Sequence, residues 1–331
     1  MTDRLLADQL DDVAMRSARS GGWLDGPWQA AVEQGLPLAL VEGEQGYGIP
    51  LSEGLGLIRL FGERAIPLPL AETMIANALL ARAGLPVVNA VVALVPEGAA
   101  IALRETPDGW HAAGEAERVA WGRNADALLI ESGGQIALMT AGFTLIEEGS
   151  NLAEMPRDRI AVDGMVRVAA LDGISLLEAG ALARALAMAG ALDTLVSLTL
   201  GHVAERVQFG RPLSNFQAVQ HALARLASEA AAASAAADLA ADAFAAASPQ
   251  TGIAVAAARA RIGEAAGTAV GIAHQLHGAI GFTQEHRLHW FTTALWSWRD
   301  EFGSAAWWTR RLGAAVLGGS KAGYWPMVTS V

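Results

Sequence analysis

The chain has 331 residues, no cysteine and a formal net charge of −11. The lack of cysteine excludes disulfides, thiolate metal sites, iron–sulfur clusters and cysteine nucleophiles. The negative charge argues against nucleic acid as a partner, because phosphate binding needs a basic surface. Hydrophobic residues make up 53% of the chain, which is enough for a large core.

The N-terminus and the apolar runs favour a cytoplasmic protein. Asp3 stands where a signal peptide needs basic charge followed by an unbroken apolar core. The longest Ala- and Leu-rich runs are broken by Arg, Asp, Glu or Gly before they reach the roughly 18 residues of a membrane span. We therefore expect no membrane-spanning segment.

Residues 1–88 are predicted to form an N-terminal helical domain. Apolar residues recur with the helical period of about 3.6 along this region, and Gly and Pro separate the periodic segments. The predicted helices cover residues 3–18, 28–34, 52–62 and 71–83.

Residues 89–168 change to the pattern of a small β domain. Short runs of β-type residues alternate with Gly, Pro, Asp and Asn at a spacing of roughly 8–12 residues, which is typical of an antiparallel barrel or sandwich. The predicted strands are residues 91–95, 101–104, 127–131, 135–140, 143–147 and 159–162.

Residues 169–331 return to helix and are predicted to form an antiparallel four-helix bundle. The segment 180–207 is apolar on nearly every face, so it must be buried on all sides. Two Ala-dominated helices follow at residues 219–246 and 254–277, and a helix at 288–317 completes the bundle. The fold class is therefore mostly α with a small β domain.

Two stretches in the helical region carry features of a ligand site. Residues 205–221 interrupt the apolar sequence with a Gly-Arg-Pro break, two arginines, aromatic residues and glutamines, which suit an anionic, planar cofactor. Residues 275–283 end a long helix with Gln275 and two glycines, Gly278 and Gly281. Glycine lets the backbone approach a ligand closely, although a plain left-handed helix cap explains this turn equally well.

Four histidines occur in pairs spaced by three residues. His274 pairs with His277, and His286 pairs with His289, a spacing that could place two metal ligands on one helix face. No acidic residue completes a recognisable ligand pattern. We expect histidines that form hydrogen bonds at a helix end, and no metal.

The two ligand-site stretches resemble the acyl-CoA dehydrogenase family. The sequence RVQFGRPL at residues 206–213 is similar to the family's Arg-x-x-Phe-Gly-(Arg/Lys)-x-Leu, and FQAVQ at 216–220 is similar to its Phe-Gln-x-(Val/Ile)-Gln. The sequence QLHGAIGF at 275–282 is similar to Gln-x-x-Gly-Gly-x-Gly-Tyr. The order, the separation and the helical–β–helical plan also match, so the resemblance covers most of the chain and is specific after residue 170.

The resemblance implies FAD bound across a subunit interface. It assigns Arg206 to the FAD pyrophosphate, where a planar guanidinium suits phosphate oxygens, while a structural ion pair within the bundle is the alternative. Phe209 would pack beside the cofactor. The remaining implied cofactor residues are Gly210 and Gln217, together with Gln275, Gly278 and Gly281 from the neighbouring subunit.

The resemblance also implies the reaction and its base. The family oxidises an acyl-CoA thioester at Cα–Cβ and passes electrons to a transfer acceptor; a carboxylate removes the α-proton while a hydride leaves for the flavin. In much of the family this base is the Glu of a Tyr-Glu-Gly-Thr segment, which matches Glu301 here, with Phe302 inserted after it. Arg299 is close enough in sequence to pair with Glu301 and weaken it as a base. Glu178 is the second candidate, because some members use a Glu on the long helix.

The chain departs from the family in its middle domain. The segments Thr-Glu-Pro-x-x-Gly-Ser-Asp and Trp-Ile-Thr-Asn are missing, and the β domain is short. This pattern is similar to the short subunits of heteromeric, steroid-type acyl-CoA dehydrogenases. The implied assembly is a homo-oligomer or a heterotetramer with a larger paralogous subunit. The alternatives are a non-catalytic partner subunit and a flavin oxidase or monooxygenase on the same fold.

Overall fold

The computed structural model describes residue 10 and residues 12–171 and 173–318. Over these residues the chain is mostly helical and contains one seven-stranded sheet. This architecture confirms the predicted fold class. Part of the helix predicted at residues 3–18 lies outside the described residues.

The N-terminal region contains helices that match the predicted segments. They are α1 (Asp12–Arg19), α2 (Asp25–Glu33), α3 (Leu51–Glu63) and α4 (Leu70–Arg82). Helix α4 is buried from Leu70 to Leu80. Its Asn77 carboxamide donates to the carbonyls of Pro37 and Val88 at 3.0 and 2.9 Å and accepts the Val88 N–H at 2.7 Å. This buried amide holds the chain as it leaves α4 and approaches the sheet.

The middle region forms the sheet, with strand order β1-β4-β5-β7-β3-β2 and β6 paired with β7. All pairs are antiparallel except β1 and β4, which are parallel and depart from the antiparallel prediction. The strands are β1 (Val92–Val95), β2 (Ala100–Thr106), β3 (Gly109–Ala120), β4 (Ala127–Ser132), β5 (Gln135–Met139), β6 (Phe143–Glu147) and β7 (Arg157–Ala170).

Strands β3 and β7 differ most from the sequence prediction. Strand β3 was not predicted, because its Ala, Gly and Glu residues have low β-propensity. It pairs on both sides, with β2 and β7, and this pairing overrides the low propensity of its residues. Strand β7 has 14 residues in place of the four predicted. It pairs with β3 and β6 over its first part and with β5 over its last part, so it joins the two halves of the sheet.

The C-terminal region contains five helices in place of the four predicted, over the residues that the structure describes. They are α5 (Leu176–Glu205), α6 (Gln217–Ala245), α7 (Thr251–His277), α8 (Leu288–Asp300) and α9 (Ala305–Gly318). The predicted helix at 288–317 is broken after Asp300, where Phe302 and Gly303 adopt positive φ angles of 51° and 91°. The break places Glu301 in a connecting loop.

Helix α5 is the core helix of this region. One 18-residue window in it has a mean hydropathy of 1.4, so among the described residues it alone is long and apolar enough to cross a membrane. However, 72% of that window is buried inside the protein. An apolar helix that is covered in this way is typical of a protein core.

Helices α3 and α5 touch at backbone distance. A Cβ added to Gly190 would lie 2.0 Å from the Arg59 carbonyl oxygen, and one added to Gly62 would lie 1.9 Å from the Ala187 carbonyl oxygen. Beside this contact, the Arg59 guanidinium donates to Asp193 at 2.6 Å. The glycines and the ion pair together fix α3 against α5.

The described chain divides into two compact units. One consists of the residues up to 58 with residues 66–183, and the other of residues 59–65 with those from 184 onward. The boundaries after residues 58 and 183 fall inside α3 and α5, and the boundary after residue 65 follows α3. The predicted domains at 1–88, 89–168 and 169–331 stay a prediction.

Candidate functional site

A short hairpin follows α5 directly and carries the first predicted cofactor residues. We call residues 206–213 the Arg206 hairpin; it consists of β8 (Val207–Gln208) and β9 (Arg211–Pro212). Phe209 and Gly210 form its turn with φ angles of 52° and 79°. A two-residue hairpin turn of type I′ needs positive φ at both positions, which glycine accepts and phenylalanine rarely does. Such strain at a bulky residue is characteristic of binding sites.

The side chains of the Arg206 hairpin are exposed. Phe209 is 92% exposed and meets the edge of Phe216, with ring centroids 6.2 Å apart. The Arg211 guanidinium lies 4.2 Å from the centre of the Phe216 ring, so this side chain already has an aromatic partner. The Arg206 side chain is exposed and makes no ion pair with the described residues. Arg206 and Phe209 are therefore free to receive a ligand.

The turn after α7 contains two glycines with different structural roles. Gly278 has φ 65° and ψ −144°, which is a conformation open to glycine and differs from a left-handed helix cap. A Cβ there would meet nothing within 4 Å. Gly281 is buried, and a Cβ there would lie 2.9 Å from His277 Cβ and 3.0 Å from Leu288 Cδ2. Gly278 thus leaves open space above the turn, while Gly281 is required for packing.

The helix ends that lead into the hairpin and into the turn meet. His202, one helical turn before Arg206, stacks on His277 with ring centroids 4.4 Å apart and an interplanar angle of 19°. The remaining predicted cofactor residues, Gln217 at the start of α6 and Gln275 at the end of α7, are both exposed. Packing therefore brings the end of α5, which leads into the hairpin, against the end of α7, which leads into the turn.

Two of the four histidines form the hydrogen bonds expected at a helix end: His277 Nδ1 lies 2.8 Å from the Ala273 carbonyl oxygen, and His289 Nδ1 lies 2.7 Å from the His286 carbonyl oxygen. His277 also contacts His202 and His286, with ring centroids 4.4 and 4.8 Å apart. His274 stacks on Phe282 at 4.4 Å. Burial lowers the pKa of His277 to about 4, so this ring is neutral at neutral pH. His202 was missed by sequence reasoning, since only the packing of α5 against α7 brings it here.

Glu301, the first candidate base, forms a buried ion pair. The Arg184 Nε donates to its carboxylate at 2.7 Å, and the two side chains are 4% and 9% exposed. The expected partner, Arg299, instead stacks on Trp296 at 4.2 Å and lies 3.6 Å from Asp300. The suggested Arg299–Glu301 pair is therefore wrong, because Arg299 points along α8 and Arg184 reaches Glu301 from α5.

Arg259 of α7 organises the backbone around Glu301. Its Nη2 lies 2.8–3.0 Å from the carbonyl oxygens of Trp298, Arg299, Glu301 and Gly303. Burial lowers the pKa of Arg259 to about 10, which leaves it charged at neutral pH. A buried cation thus gathers the carbonyls at the end of α8 and fixes the loop.

Glu178, the second candidate base, caps the start of α5. Its carboxylate accepts hydrogen bonds from the N–H and the hydroxyl of Ser175, both at 3.0 Å, while the Glu178 N–H donates to the Ser175 hydroxyl at 3.2 Å. This reciprocal pattern is a capping box. The sequence Ser-Leu-Leu-Glu at residues 175–178 is typical of such a capping box.

Comparisons with known proteins identify the family. The sequence model described as "Acyl-CoA dehydrogenase, C-terminal domain" matches residues 173–306. The acyl-CoA dehydrogenase IpdE2 of Mycobacterium tuberculosis (strain ATCC 25618 / H37Rv) is 30% identical over 289 residues, which cover 86% of this chain and 85% of that protein.

Solved structures share the fold. The "Tcur3481-Tcur3483 steroid ACAD G363A variant" has a TM-score of 0.86 at 23% identity and covers 96% of both chains. The ChsE4–ChsE5 complex from Mycobacterium tuberculosis has a TM-score of 0.82 at 21% identity and covers 96% of this chain and 95% of that chain. The family match supports FAD as the cofactor. The chain belongs to the acyl-CoA dehydrogenase family.

Proposed function

We propose that this chain is a subunit of an FAD-dependent acyl-CoA dehydrogenase that introduces a double bond between Cα and Cβ of an acyl-CoA thioester. The Arg206 hairpin carries the proposal. A strained phenylalanine that is 92% exposed, beside an exposed arginine, has no evident structural purpose in the isolated chain. Both features suit a planar, anionic cofactor that packs against the hairpin.

The residues around the hairpin fit FAD. Arg206 would hold the pyrophosphate, and Phe209 would pack beside the cofactor; both are exposed. Gln217, and Gln275 of the neighbouring subunit, are also exposed and would offer carboxamides to the cofactor's polar groups. Gly278, also from the neighbouring subunit, leaves open space for close approach. Bound FAD supplies the two-electron acceptor, and these residues orient it.

Glu301 remains the proposed base for the α-proton of the substrate. It is largely buried, and Trp298 and Phe302 flank its partner Arg184 at 6.0 and 5.6 Å. Exclusion of water makes a carboxylate a better base. Arg184 acts against this, because it stabilises the ionised carboxylate and occupies one oxygen. Proton abstraction by Glu301 therefore requires that Arg184 release it.

The Arg184–Glu301 ion pair favours a second candidate function, a non-catalytic partner subunit. In that case Glu301 is structural, and the chain completes the flavin site of a larger paralogue. ChsE4 and ChsE5, which share this fold, form a complex of two different chains, and this supports a heteromeric assembly here. The Tcur3481–Tcur3483 protein is a steroid ACAD, which makes a steroid-derived acyl-CoA the first substrate to test.

The first experiment separates these functions by flavin content and turnover. The full chain is purified alone and after co-expression with a larger paralogue, and each product is assayed with steroid-derived and straight-chain acyl-CoA and an electron-acceptor dye. Yellow protein with dye reduction supports the dehydrogenase. Flavin and activity that appear only with the paralogue support the partner subunit. Oxygen consumption without dye reduction would support an oxidase, and no flavin in either preparation would contradict the proposal.

The second experiment tests the base with Glu301→Gln. We expect the variant to keep its flavin and to lose turnover by roughly 10²–10⁴-fold if Glu301 takes the proton. The matched control is Glu285→Gln, which changes an exposed glutamate in the turn before α8. Turnover per bound flavin that equals wild type would refute the base and leave Glu301 as a structural partner of Arg184.

A further inference from the structure

Three imidazole rings from three elements meet at the end of α5. His202 belongs to α5, His277 ends α7, and His286 lies in the loop before α8. Their coordinating nitrogen atoms all lie within 4.8 Å of one another. It is the only group of three or more possible metal ligands in the described parts of the chain.

His277 is the fixed member of this three-histidine cluster. It is 5% exposed, and its Nδ1 lies 2.8 Å from the Ala273 carbonyl oxygen. A carbonyl accepts only from N–H, so Nδ1 carries the proton and Nε2 keeps its lone pair. That Nε2 is buried and has no hydrogen-bond partner within residues 12–171 and 173–318. A backbone carbonyl that orients one nitrogen while the other stays free is the usual arrangement of a metal-binding histidine.

His202 and His286 can adjust to a bound ion. Both rings are half-buried, so packing confines them less than it confines His277. Tetrahedral zinc with Zn–N bonds of about 2.0–2.1 Å places ligand nitrogens roughly 3.4 Å apart. To bring the ligand nitrogens from within 4.8 Å of one another to this distance, the side chains must move by about 1 Å. His202 must also tilt out of its stack on His277.

Metal binding by His286 through Nε2 requires a change of tautomer. Its Nδ1 accepts the Leu288 N–H at 3.1 Å, so its proton now resides on Nε2. Coordination through Nε2 would move the proton to Nδ1 and break that hydrogen bond. His286 is therefore the weakest ligand of the three, and its removal should affect affinity less than removal of His202 or His277.

We propose that His202, His277 and His286 bind a divalent transition metal ion such as Zn²⁺. Imidazole is a preferred ligand for zinc, copper, cobalt and nickel, and three protein ligands leave one position open for water. The ion would join the end of α5 to the turn after α7, directly before the Arg206 hairpin. Glu205 and Arg206, which follow His202, contribute opposite charges to the surroundings. The proposal does not depend on flavin binding or turnover.

The test is Co²⁺ and Zn²⁺ binding to the full chain without an affinity tag, after treatment with a chelator. Co²⁺ in a tetrahedral site gives intense visible absorption bands, and calorimetry gives the stoichiometry and affinity for Zn²⁺. We expect one ion per chain, and a Zn²⁺-dependent rise of the melting temperature. The measurement is repeated with and without flavin, because the result should be the same.

The variants His202→Ala, His277→Ala and His286→Ala are compared with His221→Ala, which changes an exposed histidine of α6. We expect at least about a ten-fold loss of Zn²⁺ affinity for His202→Ala and His277→Ala, and unchanged affinity for His221→Ala. Circular dichroism verifies that each variant folds; His202→Ala keeps the test valid if the buried His277→Ala does not. No saturable binding to wild type, or equal binding to wild type and His202→Ala, would overturn the proposal.

Discussion

At the scale of single residues, Arg259 has the largest expected effect on stability. Arg259→Met would keep the length of the side chain but leave the carbonyls of Trp298, Arg299, Glu301 and Gly303 without this donor. A buried acceptor left without its donor costs about 1–3 kcal/mol, and several are affected here, so we expect a loss of about 3 kcal/mol. Urea unfolding followed by tryptophan fluorescence measures it.

Arg261→Met is the matched control for this prediction. Arg261 lies two residues further along α7 and pairs with Glu229 and Glu264, but its side chain is 33% exposed. Solvent screens such pairs, so we expect a loss below about 1 kcal/mol. If the two variants unfold at the same urea concentration, the carbonyls around Glu301 do not depend on Arg259.

Residue roles were predictable from the sequence only where the signal is local. The Ser-Leu-Leu-Glu pattern at the start of α5 predicts that Glu178 caps the helix, although the family resemblance suggested that Glu178 is a base. The partner of Glu301 was not predictable, because Arg184 precedes it by 117 residues and only tertiary packing joins them. The same reason explains why His202 was missed at the histidine cluster.

At the scale of secondary structure, the contact between α3 and α5 depends on glycine. Gly190→Ala would place a Cβ 2.0 Å from the Arg59 carbonyl oxygen, and backbone cannot rotate away. The helices would have to separate, which we expect to cost at least about 2 kcal/mol. The same substitution at Gly201, also on α5, meets nothing within 4 Å and should be neutral or stabilise by up to about 1 kcal/mol. Thermal unfolding of both variants tests this contrast, and equal melting temperatures would contradict it.

The elements were predicted well where periodicity is strong. The segments of α4 and α7, and the strands β4 and β6, lie close to their predicted positions, because long apolar patterns and turn residues define them. Strand β3 was missed, because its residues favour a strand only once β2 and β7 flank it. The break between α8 and α9 was missed as well. Trp308 Nε1 donates to the Phe302 carbonyl at 3.0 Å and stabilises a bend that helical periodicity does not reveal.

At the scale of the whole molecule, the Arg206 hairpin and the turn after α7 carry exposed apolar residues, and we propose that another subunit covers them. Phe209 and Phe282 are 92% and 73% exposed, and Val207 and Ile280 are 54% and 43% exposed. Clustered exposed apolar residues mark interaction sites. The family resemblance predicts a subunit interface, which no periodicity in the sequence indicates, and we propose this surface for it.

We expect the double substitution Phe209→Ser and Phe282→Ser to weaken assembly without unfolding the chain. Both side chains are largely exposed, so the melting temperature of the isolated chain should change little. Association with itself or with a paralogue should fall by about ten-fold or more, as measured by sedimentation velocity. Leu152→Ser, at a residue that is 64% exposed elsewhere in the chain, is the control. Unchanged association would place the interface on another surface.

The apolar core helix α5 has a consequence for synthesis of the protein. Its 30 residues leave the ribosome before α7 and α8, which supply Arg259 and the loop of Glu301, have been made. Until then an 18-residue window of membrane-like hydropathy lacks the cover that these later helices give it and is open to chaperones on that side. Chains that end before α7 should therefore aggregate or be captured by chaperones, and the yield of intact protein should rise when translation is slowed by cooling.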